Sequence, residues 1–201
     1  MKTLVNLKKH LKPGRVYRRS ELERWSNSVD RHLKLLVEDE SLCKLAQGMY
    51  SCPAKASFGN IPPEDGVLVR AFLKSDDFLL ASPNHYNSLG VGTTQLYNKS
   101  VVYNHKRHGR FTLGGKEFYF HLKHKFPKKL SEEFLLVDLM NNLHDLAEDR
   151  GYVLKNVKEK VLRMTELQAK KMFNAYAGER TKALFNQWIS KKSLVHAQLP
   201  S

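Results

Sequence analysis

Between positions 29 and 37 the apolar residues Val29, Leu33, Leu36 and Val37 recur at steps of four, three and one. That spacing lines up side chains on one face of an α-helix and leaves Ser28, Arg31 and Lys34 on the other. Upstream, Arg18-Arg19-Ser20 opens an acidic first turn in which Leu22 and Trp25 supply the inner face of a shorter helix. The polar break Ser26-Asn27-Ser28 separates the two. Downstream, Leu42-Cys43-Lys44-Leu45 and Met49-Tyr50-Ser51-Cys52 flank Ala46-Gln47-Gly48, where glycine admits the positive φ of a tight turn. Helix, turn, helix and a two-stranded hairpin make a winged helix-turn-helix, an arrangement that seats one helix in a DNA major groove. Residues 16–53 therefore set the expectation for the rest of the chain.

The N-terminal run TLVNLKKHL places Leu4, Leu7 and Leu11 on one side, with Lys8 and Lys9 opposite, and Pro13-Gly14 stops it. It reads as a support helix behind the two others. The positions expected to reach DNA follow from this frame. Asn27 and Ser28 begin the second helix, and Arg31 and Lys34 lie along its outer side. An arginine there can fork onto guanine O6 and N7, a contact worth roughly 1–3 kcal/mol of discrimination. Arg18 and Arg19, with Arg15, enter the first helix where cations reach phosphate oxygens. Lys44 and Gln47 in the wing are placed for an adjacent minor groove or for phosphates. Asp30 opposes DNA by charge but favours the start of a helix.

Composition agrees with a polyanionic partner: 201 residues carry a formal net charge of +14 and a pI near 9.8, which points to nucleic acid. A hydrophobic fraction of 41% is that of a globular chain. No apolar run approaches the ~18–20 residues that span a bilayer. The opening MKTLVNLKKHLKPG lacks the apolar core of a secretory signal, so a cytoplasmic protein is expected. Cys43 and Cys52 both fall in the expected wing. With a turn at 46–48, residue 43 faces 50 or 51, so free thiols are expected rather than a disulfide or a zinc pair.

Residues 54–65, AKASFGNIPPED, read as a linker stiffened by Pro62-Pro63, dividing a head of residues 1–53 from a second unit of residues 66–201. In that unit GVLVRAFL is expected to be helical. Ser82-Pro83 caps a short helix over 84–89, and Gly90-Val91-Gly92 turns the chain. Residues 100–105 are strand-like, and Gly114-Gly115 joins two strands as a tight hairpin, so a small antiparallel sheet is expected. Ser131 caps a long apolar helix that Gly151 ends, and three more helices follow over 156–164, 166–177 and 179–191. The fold class is α+β. Residues 99–129 hold nine Lys and Arg, four His and one Glu, giving a basic face open to a second nucleic acid, an acidic partner or solvent.

Catalysis finds no foothold. His105 and His108 leave a strand into a loop with no Asp, Glu or Cys near enough in sequence to complete a metal shell. Asp138 and Asp145 share a helix face, but Asp138 sits between Val137 and Leu139 and reads as a hydrogen-bonded, half-buried group. No serine sits in a nucleophile elbow. No enzyme activity, metal or cofactor is expected.

Three quoted segments together carry a family likeness: Gly14-Arg15-Val16-Tyr17-Arg18-Arg19-Ser20-Glu21-Leu22, Arg31-His32-Leu33-Lys34-Leu35-Leu36-Val37-Glu38, and Leu42-Cys43-Lys44-Leu45-Ala46-Gln47-Gly48-Met49-Tyr50. They resemble the winged-helix head of AbiEi-type antitoxins, from the abortive-infection toxin–antitoxin pairs. The resemblance is clearest over residues 1–52 and extends more loosely through the second unit. It implies a bacterial cytoplasmic protein that represses its own operon by binding inverted repeats in double-stranded DNA. It also implies a C-terminal unit that counters a nucleotidyltransferase-like toxin encoded beside it, in a type IV system where direct contact is not required. The chain departs from the family pattern at Glu38-Asp39-Glu40, where a basic residue or glycine is usual before the wing. Two other classes stay open: a winged-helix transcription regulator whose second unit binds a ligand or dimerises, and a nucleic-acid-processing enzyme targeted by its head.

Overall fold

The computed structural model describes residues 3–57 and 59–197, the side chains of Lys55 and of residues 191–197 excepted. The Thr3 hydroxyl accepts the Asn6 N–H and starts helix α1 (Leu4–Lys9), whose Leu7 is fully buried. Strand β1 (Val16–Arg18), helix α2 (Arg19–Leu22) with a 3-10 turn at Glu23–Trp25, and helix α3 (Val29–Glu38) follow. Strands β2 (Cys43–Ala46) and β3 (Met49–Ser51) complete the segment, and the sheet runs β1-β3-β2, antiparallel throughout. Leu7, Tyr17, Leu22, Val29, Leu33, Leu36 and Leu42 pack into one cluster. The Tyr17 hydroxyl stays hydrogen-bonded inside it, donating to the His10 carbonyl at 3.0 Å and accepting the Lys12 N–H at 2.7 Å.

Two details differ from the sequence expectation. Val37 is 36% exposed, because the buried stripe of α3 is carried by residues 29, 33 and 36 alone. The sheet has three strands rather than two, since Val16-Tyr17-Arg18 pairs with β3; three residues are too few to show alternation in a sequence. The β2–β3 register is as expected, with Cys43 opposite Ser51 and Lys44 opposite Tyr50, and both thiols are free.

The stretch expected to be a linker is a hairpin. Strands β4 (Ala54–Ala56) and β5 (Gly59–Ile61) pair antiparallel. Their small and polar residues bury little, so no apolar rhythm announces them. Helix α4 (Asp65–Leu73) leads to β6 (Phe78–Ala81), and the Ser82 hydroxyl caps a 3-10 helix over Pro83–Leu89. Strands β7 (Ser100–Asn104), β8 (Gly109–Leu113) and β9 (Lys116–Leu122) finish a four-stranded sheet of order β6-β7-β9-β8. It is mixed, not purely antiparallel: β7 and β9 run parallel.

One side chain holds the connection that makes this order possible. Asn104, fully buried, accepts the Lys106 and Arg107 N–H groups at 2.8 and 2.7 Å and donates to the Arg107 carbonyl at 3.0 Å. This clasps the four-residue connection 105–108, which carries the chain past the position of β9 so that β8 forms the far edge. Gly114 and Gly115, at φ 58 and 80, then return the chain tightly with Leu113 opposite Lys116.

One sheet face takes α4: Leu68, Val69 and Leu73 pack with Val102, Leu113, Phe118 and Phe120. Val16 and Met49 belong to the same cluster, so the head and the second sheet share a core. The Gly114 N–H donates to the Leu45 carbonyl at 2.9 Å, joining the β8–β9 turn to β2. The other sheet face packs Leu79, Ala81, Val101 and Tyr103 on Phe134.

Phe134 belongs to α5 (Glu132–Asn142), capped by the Ser131 hydroxyl and buried at every position from 134 to 140. This helix ends at Asn142 rather than at Gly151. The Asn142 amide turns back onto the Asp138 carbonyl at 2.8 Å, and Asp149 caps the next helix, placing Gly151 in its first turn. Helices α6 (Arg150–Arg163), α7 (Glu166–Tyr176) and α8 (Glu179–Ala197) enclose Val153, Val157, Val161, Ala169, Phe173, Phe185 and Trp188 against α5. Phe173 and Phe185 stack with centroids 4.1 Å apart. At 48% helix and 19% strand the molecule is α+β. Among the described residues no helix is long and apolar enough to cross a membrane.

Candidate nucleic-acid interface

Packing decides which residues of α3 face outward. With Val29, Leu33 and Leu36 held in the head's core, the exposed row is Asn27, Ser28, Arg31, Lys34, Leu35 and Glu38. Ser28 occupies the N-cap position, yet its side chain makes no capping bond. That task passes to the chain just before it: buried Ser26 accepts the Ser28 N–H at 3.1 Å and bonds the His32 ring at 2.7 Å. The Ser28 hydroxyl and the Asn27 side-chain amide therefore have no hydrogen-bond partner among the described residues, at the positive end of the helix. Arg31 has no acidic partner among the described residues. Lys34 lies 3.9 Å from Glu38 with 79% of its side chain exposed, a pair that solvent screens. Lys44 and Gln47 are exposed on the wing, and Gly48, at φ 67, turns the chain between its strands.

The arginines preceding α2 are used differently from the expectation. Arg18 turns toward the second unit, donating from Nε to the Ala71 carbonyl and from a terminal nitrogen to the Phe72 carbonyl. Those carbonyls close α4, where oxygens lack helical partners and carry partial negative charge. Arg18 thus fastens head to sheet and is not free to meet phosphate. Burial holds its guanidinium below its ordinary value.

Arg19 forks onto both oxygens of Asp30 at 2.7 Å each, with Glu23 at 3.3 Å. The hydrogen bonds raise the arginine above its usual range and hold the aspartate below its own. This clasp fixes the start of α3 to α2 and neutralises the one acid in its first turn. Of the eight expected residues, the structure exposes Asn27 and Ser28 just ahead of α3, Arg31 and Lys34 along it, and Lys44 and Gln47 on the β2–β3 hairpin. It withdraws Arg18 and half-occupies Arg19.

Leu35, 38% exposed, is an outward residue that the sequence reading passed over. On a row that met a DNA groove an apolar group would suit a thymine methyl, and its offset from the buried stripe is the signal for it. The acidic run at the end of α3 is also partly neutralised. Asp39 accepts Lys8 Nζ at 2.5 Å and the Ser41 N–H at 3.0 Å, which hold its carboxyl at about 2. Glu40 adopts φ 58, the left-handed region that favours glycine.

Much of the basic stretch 99–129 is engaged within the chain. Lys106 caps the end of α4 through the Leu73 and Lys74 carbonyls, and Arg107 lies over the Phe72 ring. Lys116 pairs with Asp65 at 2.7 Å, and Lys123 stands 3.6 Å from Asp138. His105 stacks on Phe126, while His108 meets His121 edge-on. Among the described residues no three His, Cys, Asp or Glu side chains converge as metal ligands. Comparison of the chain with protein-family models, with curated proteins and with solved structures finds no match.

Proposed function

We propose that the N-terminal segment is a winged helix-turn-helix that reads duplex DNA, and that the chain is a bacterial, cytoplasmic autorepressor and antitoxin countering a nucleotidyltransferase-like toxin. The observation that carries the DNA-binding part is the outer row of α3. Asn27, Ser28, Arg31 and Lys34 stand exposed and uncommitted to one another on a helix whose opposite face is locked into a core. The β2–β3 hairpin beside it offers Lys44 and Gln47 to the flanking backbone. The succession α2, α3 and then the β2–β3 hairpin supports a helix-turn-helix with a wing behind it. The antitoxin role rests on the likeness of residues 1–52 to AbiEi-type heads.

The test is fluorescence anisotropy of the full chain on duplexes carrying inverted repeats from its own promoter. Affinity should fall steeply as salt rises, since each phosphate contact releases counterions. Arg31→Ala should reduce the preference for operator over scrambled duplex by about tenfold, within the roughly 1–3 kcal/mol of one forked base contact, at an unchanged melting temperature. Unaltered selectivity in that variant would refute the assignment of α3. Growth rescue on co-expression with the neighbouring toxin gene tests the antitoxin role, and Arg31→Ala should retain rescue while losing repression.

A further inference from the structure

A cleft of about 610 Å³ opens at the start of α8, walled by α5, α6 and the end of α7 and reached by Lys123 just past β9. Lys123 is placed there by an unusual neighbour. Asp138 is 1% exposed, in the middle of α5, and its carboxylate accepts the Tyr86 hydroxyl at 2.8 Å and the Tyr103 hydroxyl at 2.7 Å. Burying a carboxylate is costly unless it is hydrogen-bonded and paired. The phenols supply the hydrogen bonds; Lys123 supplies the charge, at 3.6 Å and 4.3 Å above the Tyr103 ring. Burial and the adjacent carboxylate push both phenols far above their ordinary value, so they remain donors. A buried acid thereby holds a lysine, its side chain still 30% exposed, at the cleft.

Further groups there favour an anion. Arg150 donates to the His144 carbonyl at 2.7 Å and has no acidic partner among the described residues. Arg180 is exposed and, among the described residues, unpaired. The 19-residue helix α8 begins at the cleft. Asn141 takes the Gly178 N–H at 2.9 Å, and the Lys182 N–H closes the first turn onto the Gly178 carbonyl. The amides of Glu179, Arg180 and Thr181 between them have no partner among the described residues, as is usual for a first turn. Thr181 is the independent sign of a ligand: it lines the cleft, is 3% exposed, and its hydroxyl makes no hydrogen bond among the described residues. Glu179, the acid on this wall, is drawn aside by Lys182 at 3.1 Å. Met140, Leu143, Leu154, Tyr176 and Leu184 make the remaining wall apolar.

We propose that this cleft binds a mononucleotide, with the phosphate at the first turn of α8 among Thr181, Arg150 and Arg180 and the base against the apolar wall. The volume lies in the range of small-ligand sites, about 300–1,000 Å³. Lys123 is matched by Asp138, but Arg150 and Arg180 have no acidic partner among the described residues and favour a negative ligand, and a helix N-terminus with free amides suits phosphate. The apolar wall distinguishes a nucleotide from a bare anion. The site uses no residue of α3 or the wing and stands whether or not the head reads DNA.

Isothermal titration calorimetry of the full chain tests it, with the mono- and triphosphates of adenosine, guanosine, cytidine and uridine, and with inorganic phosphate. At least one nucleotide should bind and raise the melting temperature, with inorganic phosphate binding at least a hundredfold more weakly. Arg180→Ala and Thr181→Val should each weaken it about tenfold, and Arg31→Ala should leave it unchanged. Arg180 is exposed, so its variant tests binding even if Thr181→Val disturbs packing. Absence of binding across the panel, indifference to Arg180→Ala, binding of phosphate as tight as nucleotide, or loss in Arg31→Ala would each overturn the proposal.

Discussion

Replacing Asp138 by Leu isolates the cost of the buried carboxylate network. Leucine keeps the branched skeleton of aspartate but carries bulkier methyls, so some repacking adds to the chemical change. Two phenol hydroxyls that donate at 2.8 and 2.7 Å lose their acceptor in a site 1% exposed. A stranded buried hydroxyl costs about 1–3 kcal/mol. Lys123 can turn outward, because its side chain is already 30% exposed, so it adds less. The expected loss is about 3–5 kcal/mol, the range found when one member of a buried pair is removed. For a chain of 201 residues that lowers the melting temperature by about 10 °C. Urea unfolding followed by tryptophan fluorescence is the assay, since Trp188 lies in the helical core and Trp25 in the head. The triple variant Tyr86→Phe, Tyr103→Phe, Asp138→Leu removes donors and acceptor together and should recover most of the loss. If Asp138→Leu costs less than about 1 kcal/mol, or the triple variant is as unstable as the single, the network does not act as described.

Two further perturbations separate competing roles. Arg18→Met should destabilise the chain by about 2 kcal/mol, the worth of hydrogen bonds from a charged donor, while leaving the salt dependence of DNA binding unchanged; a phosphate contact would instead reduce the slope by about 0.9. Asp39 has its carboxyl held at about 2 against an ordinary 3.8 by Lys8 and Ser41. Its contribution to stability is therefore complete above about pH 4 and lost as pH falls toward 2. Asp39→Asn should flatten the thermal-denaturation profile across that window, and an unchanged acid limb would count against the Lys8–Asp39 pair.

Amphipathic helices were legible because one face of each is buried. The stripe at 29, 33 and 36, the Ser82 and Ser131 caps and the Gly114-Gly115 turn all announce themselves within a few residues. What escaped is non-local. The parallel pairing of β7 with β9 brings together strands separated by β8 in sequence, and the connection 105–108 is held by Asn104, a buried asparagine at a strand end with no periodicity to mark it. The end of α5 at Asn142 is set by a side chain folding back on its own helix. Asp138 was legible as a hydrogen-bonded position, but its partners stand 35 and 52 residues away in sequence.

The same distinction governs the candidate interface. A net charge of +14 says how many cations the chain has, not which are free. Arg18 and Arg19 adjoin in sequence yet serve opposite neighbours, one the carbonyls closing α4 and the other Asp30 at the start of α3. Both contacts fix α3 in space: the first ties α2 to the second unit, the second ties α3 to α2. Arg18 and Arg19 thus orient the helix rather than serve as its free contacts. If α3 enters a groove as proposed, its rigidity spares it a loss of freedom, since binding by a pre-positioned element forfeits less affinity to ordering. By that reasoning the discriminating charges are the unpaired ones, Arg31 foremost, and the orienting charges matter to DNA only through the angle at which α3 is held.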